Sequence, residues 1–287
     1  MNASAPVRAS KTGHAAPVMM FPGRGFRYAL KTHWPEYLME GAELALFMIS
    51  ACVFTVLLFH PQSPVVNALP NALARRTLIG LAMGITAIAI VYSPWGQQSG
   101  AHFNPSFTLT FWRLKKISGP DALFYVVSQF AGGIFGVWFS RLLVGATRLS
   151  DPQVLYAVTV PGPQGTAIAF FAEALISFLL FFVVLVVSNR KSIARYTPLF
   201  VGFLVAIYIT FESPLSGMSM NPARTLGSAI IPHVWTSLWI YFTAPVLGML
   251  SAAELFVGLR DSAPHCAKLH HHNSKRCIFH CAFEQMN

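Results

Sequence analysis

The sequence predicts an all-α membrane protein, with six transmembrane helices and two re-entrant half-helices arranged as two inverted repeats. Three observations carry that expectation. Hydrophobic residues make up 54% of the 287 positions and charged residues only 10%, against about 25% charged in soluble domains. Mean hydropathy is +0.54, and so few charges cannot cover the surface of a soluble fold of this size. Six apolar runs, near 38–59, 73–92, 121–145, 166–188, 196–212 and 234–257, approach or exceed the roughly 20 residues that span a bilayer. Finally, Ser99-Gly100-Ala101-His102-Phe103-Asn104-Pro105-Ser106-Phe107-Thr108-Leu109 matches Ser216-Gly217-Met218-Ser219-Met220-Asn221-Pro222-Ala223-Arg224-Thr225-Leu226 at six of eleven positions.

The repeat orders the elements. Each half holds three spans, with a short apolar stretch between the second and third, about 104–112 and 221–231. Both stretches are too short to cross, and both open on Asn-Pro. Proline suits a first helical turn because its missing N–H would be unpaired there anyway. An odd number of spans per half inverts the second half relative to the first. Inverted repeats with interrupted helices are the sequence sign of a midplane transport path. The expected organisation is an N-terminal tail over 1–35, a channel-like domain over 36–260 with repeats at about 36–145 and 165–260, and a tail over 261–287.

The net charge of +10 reads as topology. With six spans, 15 Lys and Arg fall on the side of the termini, and Arg75, Arg76, Arg141 and Arg148 fall on the other. The positive-inside rule then places both termini in the cytoplasm, in an inner or cytoplasmic membrane, with anionic lipids as secondary partners. The basic residues are scattered between apolar runs, which excludes a nucleic-acid face. Residues 1–35 read as polar and basic, without the apolar core of a cleavable signal peptide. The four cysteines show no secreted-type pairing framework.

Two half-helices entering from opposite faces would meet N-terminus to N-terminus, with their free N–H groups and positive dipole ends aimed at one spot. Asn104 and Asn221 sit at those ends. Each can cap local backbone with its carbonyl while its NH₂ donates into a lumen. A water there would accept from both and turn its hydrogens away, which breaks a proton wire, while the positive potential repels cations. That design suits a neutral solute. Simple capping without lumen contact is the plainer alternative.

On these residues the chain resembles the aquaporin (major intrinsic protein) family, of bacterial type, over about 38–258. The resemblance rests on the boxes Asn104-Pro105-Ser106 and Asn221-Pro222-Ala223, the recurring Ala42-Glu43 and Ala172-Glu173 pairs, and Arg224 after the second box. It implies a homotetramer with one pore per subunit, passing water and small neutral solutes such as glycerol or urea while excluding protons and ions. The spans hold no nucleophile–base pair and the tail no partner carboxylate, so no enzyme activity is expected, and the resemblance implies no required cofactor. It also places a selectivity constriction at Met83, Ile209, Met218 and Arg224. Strict water channels are similar in carrying Phe and His at the helical sites, and glycerol facilitators in carrying Trp, Gly and Phe. Met83, Ile209 and Met218 depart from both and form a greasy, deformable ring. Thr225 and the Tyr241-Phe242 pair resemble the water-channel side. Ser106 replaces the usual Ala of the first box, to bond backbone or to alter the packing between boxes.

Other residues admit two readings. Glu43 and Glu173 are expected to accept hydrogen bonds from the unwound backbone before each short helix. An ion pathway of a proton-coupled carrier is the alternative. His102 reads as pore wall or structure. Glu212 reads as vestibule or interface, and Gly132 and Gly136 as a small-residue packing pair. His265, Cys266, His270, His271, His272, Cys277, His280 and Cys281 crowd into 17 residues of the tail. Thiolate and imidazole together suit zinc, copper or iron, so these eight are candidate metal ligands, although their spacing matches no closed module. The alternative function is therefore a metal- or redox-sensing protein whose tail gates the channel scaffold.

Overall fold

The computed structural model describes residues 25–283. The first 24 residues of the expected N-terminal tail and the last four of the chain lie outside the described residues. The long helices are α1 (Phe26–Phe59), α2 (Ala72–Tyr92), α4 (Gly119–Val144), α5 (Thr166–Ser188), α6 (Thr197–Phe211) and α8 (Leu238–Arg260), with half-helices α3 (Pro105–Arg113) and α7 (Pro222–Ile230). Six segments are apolar and long enough to cross a membrane, the fifth of them Ala194–Phe211, which adds the 3-10 turn Ala194–Tyr196 to the front of α6. No strand occurs among the described residues.

Helix α1 starts well ahead of residue 38, so the expected domain boundary at 36 falls inside it. Phe26, Leu30 and Trp34 recur every four residues as an exposed apolar stripe, the spacing of one helix face. On the buried side, Tyr37 Oη donates to Asp121 at 2.6 Å, and the His33 ring meets the same carboxylate at 2.7 Å. Pro35 sits inside the helix without ending it.

Apolar residues face outward along the spans, among them Leu57, Ile85, Phe135, Leu142, Phe171 and Phe203, as a lipid-facing surface requires. Lipid offers no hydrophobic drive to join helices, so close approach of small residues does that work. A Cβ on Gly132 of α4 would lie 1.9 Å from the Gly41 carbonyl of α1, and one on Gly248 of α8 would lie 2.2 Å from that of Ala174 in α5. A Cβ on Gly84 of α2 would likewise lie 2.4 Å from the Gly202 carbonyl of α6. The pairs α1–α4 and α5–α8 are counterparts in the two repeats, and α2–α6 joins one repeat to the other. After α8 the chain runs without regular helix from Asp261, packs back over the loop before α3, and pairs Arg276 with Glu36 of α1.

Candidate functional site: a cavity between two half-helix ends

The two loops before the half-helices repeat one backbone course. Gly100 and Gly217 take φ +99° and +82°, and Ala101 and Met218 follow at +56° and +53°. Phe103 and Met220 are left-handed as well. Each turn is held by a tyrosine from the packed span: Tyr125 Oη donates to the Ser99 carbonyl at 2.7 Å, and Tyr241 Oη to that of Ser216 at 2.6 Å.

Asn104 caps α3 by accepting from Ser106 N at 2.8 Å, and Asn221 caps α7 by accepting from Ala223 N and Arg224 N at 3.0 and 3.1 Å. Their amides then cross. Asn104 Nδ2 donates to the Met220 carbonyl and Asn221 Nδ2 to the Phe103 carbonyl, both at 2.8 Å. A side-chain amide has two N–H bonds, so each Asn locks the opposite loop with one and keeps one for the cavity that both line. Pro105 and Pro222 occupy the first turns.

Buried carboxylates pair the loop N–H groups that no helix satisfies. Glu173 accepts from Ser219 N at 2.6 Å, Met220 N at 2.7 Å and Ser216 Oγ at 2.7 Å. In the first half the duty is divided. Glu43 accepts only Ser99 Oγ at 2.7 Å, whereas His102 N and Phe103 N donate to Glu40 at 2.8 and 2.6 Å. Glu43 is thus not the acceptor of that loop's backbone, and Glu40 was missed. Its signal was the spacing Glu36, Glu40, Glu43, which puts three carboxylates on one face of α1. Ser216 Oγ also lies against Glu212, and its one proton can serve only one of the two carboxylates at a time.

A cavity of about 360 Å³ runs past the Asn pair, and Met83, Ile209, Met218 and Arg224 all line it. Met83 is buried, while neighbouring Gly84 packs against α6, so the register at α2 puts the sulfur side chain on the cavity. Arg224 Nη1 is buried without a hydrogen-bond partner, which leaves a charged donor free for whatever enters. Ser106 Oγ is buried and unpartnered too, and its side chain is absent from the lining. At one mouth the cavity reaches Phe59, Arg76 and the 153–158 loop. That loop turns inward through left-handed Leu155, Tyr156 and Ala157, and no periodicity announced it.

The other mouth is covered by the tail. Leu269 lines the cavity, and its N–H donates to the Gly100 carbonyl at 3.1 Å. His102 Nε2 lies 2.9 Å from the Ala267 carbonyl, and its ring is stacked between Phe111 and Phe279. It is therefore buried contact surface for the tail as well as cavity lining. Of the eight tail candidates, the structure brings Cys266, His271, Cys277 and Cys281 together, with ligand atoms all within 4.8 Å of one another. The other four are not in that group. His265 N donates to Asn189, His280 Nδ1 meets the Lys115 carbonyl, and the His270 ring packs edge-on to Tyr92. His272 packs against Phe283. Hydrogen bonds from Cys266 and Cys277 hold the Cys281 thiol well below its usual range. His271 is pushed up to about 9: burial opposes its charge, and the Cys277 and Cys281 sulfurs outweigh burial. Burial lowers Lys268, whose Nζ donates to the Lys275 and Arg276 carbonyls.

Six spans, two half-helices meeting end to end and a lined cavity between them define a membrane protein of channel architecture. The comparisons with known proteins agree. The family model described as major intrinsic protein matches residues 32–256. A probable aquaporin of the NIP type from Nicotiana alata is 34% identical over 64% of this chain and 66% of its own length. Aquaporin NIP2-3 of Zea mays is 33% identical over 77% of this chain and 72% of its own. A glycerol uptake facilitator protein-like 6 from Lactiplantibacillus plantarum is 35% identical over 69% of this chain and 90% of its own. The X-ray structure of the aquaglyceroporin from Plasmodium falciparum has the same fold, with a TM-score of 0.64 at 18% identity, covering 78% of this chain and 96% of that one. The chain belongs to the major intrinsic protein family, whose aquaporins are channels and not enzymes.

Proposed function

We propose that this protein is a passive channel for water and small neutral solutes that excludes protons and ions. The carrying observation is the crossed pair of asparagines at the meeting of two half-helix N-termini, each with one N–H left for the cavity. A water there accepts from both, so its hydrogens point apart and no proton wire passes. The dipole ends and the Arg224 guanidinium, whose Nη1 has no hydrogen-bond partner, add a positive potential against cations. Met83, Ile209 and Met218 complete the constriction with Arg224. Without an imidazole donor there, the ring selects by width, and methionine rotamers set that width. The names of the relatives, an aquaporin and a glycerol uptake facilitator among them, support a solute range beyond water. The proposed assembly is a homotetramer in the cytoplasmic membrane, with both termini inside, as the charge bias suggests.

Stopped-flow light scattering on proteoliposomes tests this reading. Shrinkage in an impermeant osmolyte should be faster than in protein-free vesicles, and glycerol or urea should drive re-swelling. Fast shrinkage with no solute-driven re-swelling would restrict the channel to water. Shrinkage at the protein-free rate, with the tail removed, would overturn the channel reading.

A further inference from the structure

The segment after α8 is unusual for a terminus. From Asp261 to Phe283 it carries no helix beyond isolated turns, yet Cys266, Ala267, Lys268, Leu269 and His270 are buried. Ordering an irregular segment costs backbone entropy at every residue, and no repeating ladder of hydrogen bonds offsets it here. Small loop-rich folds of this kind are held by cross-links, disulfides or metals. A disulfide does not supply it, since all three cysteines of the segment are free. The Cys266 and Cys277 sulfurs stand 3.7 Å apart, far beyond the roughly 2.05 Å of an S–S bond.

The same distance fits a different cross-link. A tetrahedron built on zinc–sulfur bonds of about 2.3 Å has S···S edges of roughly 3.8 Å. Cys281 Sγ and His271 Nε2 complete the set at 3.0 Å from each other, and all four ligand atoms fall within 4.8 Å. The donor set is three thiols and one imidazole with no carboxylate in the group, which selects a thiophilic ion over calcium or magnesium. Four protein ligands leave no open position, as in structural rather than catalytic zinc sites. The ligand spacing is Cys266-x₄-His271-x₅-Cys277-x₃-Cys281, and the site is formed by loops folding on themselves.

What the site would hold in place is the more consequential point. Two ligands, Cys266 and His271, bracket Ala267 and Leu269, which touch the first re-entrant loop at His102 and Gly100. Leu269 forms part of the cavity wall at that mouth. Cys277 and Cys281 bracket Phe279, whose ring lies on His102 and against Tyr125. The cluster therefore ties together the two strips of tail that lie on the loop.

We propose that Cys266, His271, Cys277 and Cys281 bind one zinc ion, and that this clasp holds Leu269 and Phe279 over the tail-side mouth so that the tail narrows the pore. The inference rests on the channel reading for its second half only. It leaves conduction as the protein's function and adds a metal-held cap at one end.

The test uses the full-length protein, purified without a polyhistidine tag, in two measurements. Elemental analysis should find about one zinc per chain, retained through gel filtration and lost in Cys277→Ser and Cys281→Ser. Water permeability of proteoliposomes should then rise roughly threefold or more when a membrane-permeant zinc chelator is added, because the ligand held the capped state in excess. Leu269→Ala should raise permeability with its zinc content unchanged, which separates the cap from the clasp and does not depend on the cysteine variants folding. Zinc well below one per chain after growth with added zinc, or a different metal in its place, overturns the site. One zinc per chain with permeability unmoved by both chelation and Leu269→Ala overturns the cap. No water flux in any sample, the tail-deleted chain included, would instead overturn the channel reading, while the zinc count would still decide the site.

Discussion

The two re-entrant halves share a scaffold and differ in what they present. Both loops use a left-handed glycine, a second left-handed residue, a serine, a buried tyrosine and an Asn-Pro start. In the second half one carboxylate, Glu173, takes two backbone donors and a hydroxyl. In the first half Glu40 and Glu43 share that duty, with Gln129 Nε2 donating to Glu40 at 2.7 Å. The faces diverge further. Met218 and Arg224 leave the second half open to the cavity, whereas His102 of the first half is spent partly on the tail. A duplicated backbone thus keeps the geometry that sets the Asn pair, and the side chains around it are free to make the two mouths different.

That contrast predicts unequal costs. Glu173→Ala strands two backbone N–H groups at about 1–3 kcal/mol each and should abolish or sharply lower the yield of folded protein in a thermal melt in detergent. Glu43→Ala removes a single hydroxyl contact and should cost markedly less. Equal losses would show that the carboxylates are not divided as described.

At the helix contacts, Gly132→Ala drives a methyl into the Gly41 carbonyl and should destabilise by about 1–3 kcal/mol. Gly258→Ala meets nothing within 4 Å and should leave the melt unchanged or slightly raised. At the constriction, Arg224→Val should keep water flux and raise proton leak, read with a pH-sensitive dye inside vesicles. A leak equal to the parent protein would assign ion exclusion to the half-helix ends alone. Ile209→His adds a donor to the ring and should lower the ratio of glycerol to water permeability. The smallest effect belongs to Ser106→Ala, which makes the first box match the second. Removing a buried hydroxyl without a partner should raise stability by about 1 kcal/mol with conduction unchanged.

The sequence told more about the halves' common features than about their differences. The Asn-Pro boxes, the spans and the inversion came from repetition and apolar length, which are local properties. Glu173 was legible because the second half follows the simple pattern. Glu40 was not, since the recurring Ala-Glu pair drew attention to Glu43 while the backbone donors reach one turn earlier on the same face. Met83 needed the packed register, because one turn of α2 offers either Met83 or Gly84 and only the contact with Gly202 decides between them. The 153–158 loop and Leu269 carried no signal, for their placement depends on segments far away in the chain.

Composition and periodicity were enough to make this chain a six-span inverted repeat with two asparagines at its centre, because burial in lipid and helix capping act over a few residues. Tertiary structure alone decided which carboxylate pairs with which loop, that Met83, Ile209, Met218 and Arg224 face one cavity, and which four of the eight His and Cys of the tail meet. Those are matters of ångström distances, between segments scores of residues apart for the carboxylates and the cavity and within one irregular segment for the tail, and they are set only when the chain packs.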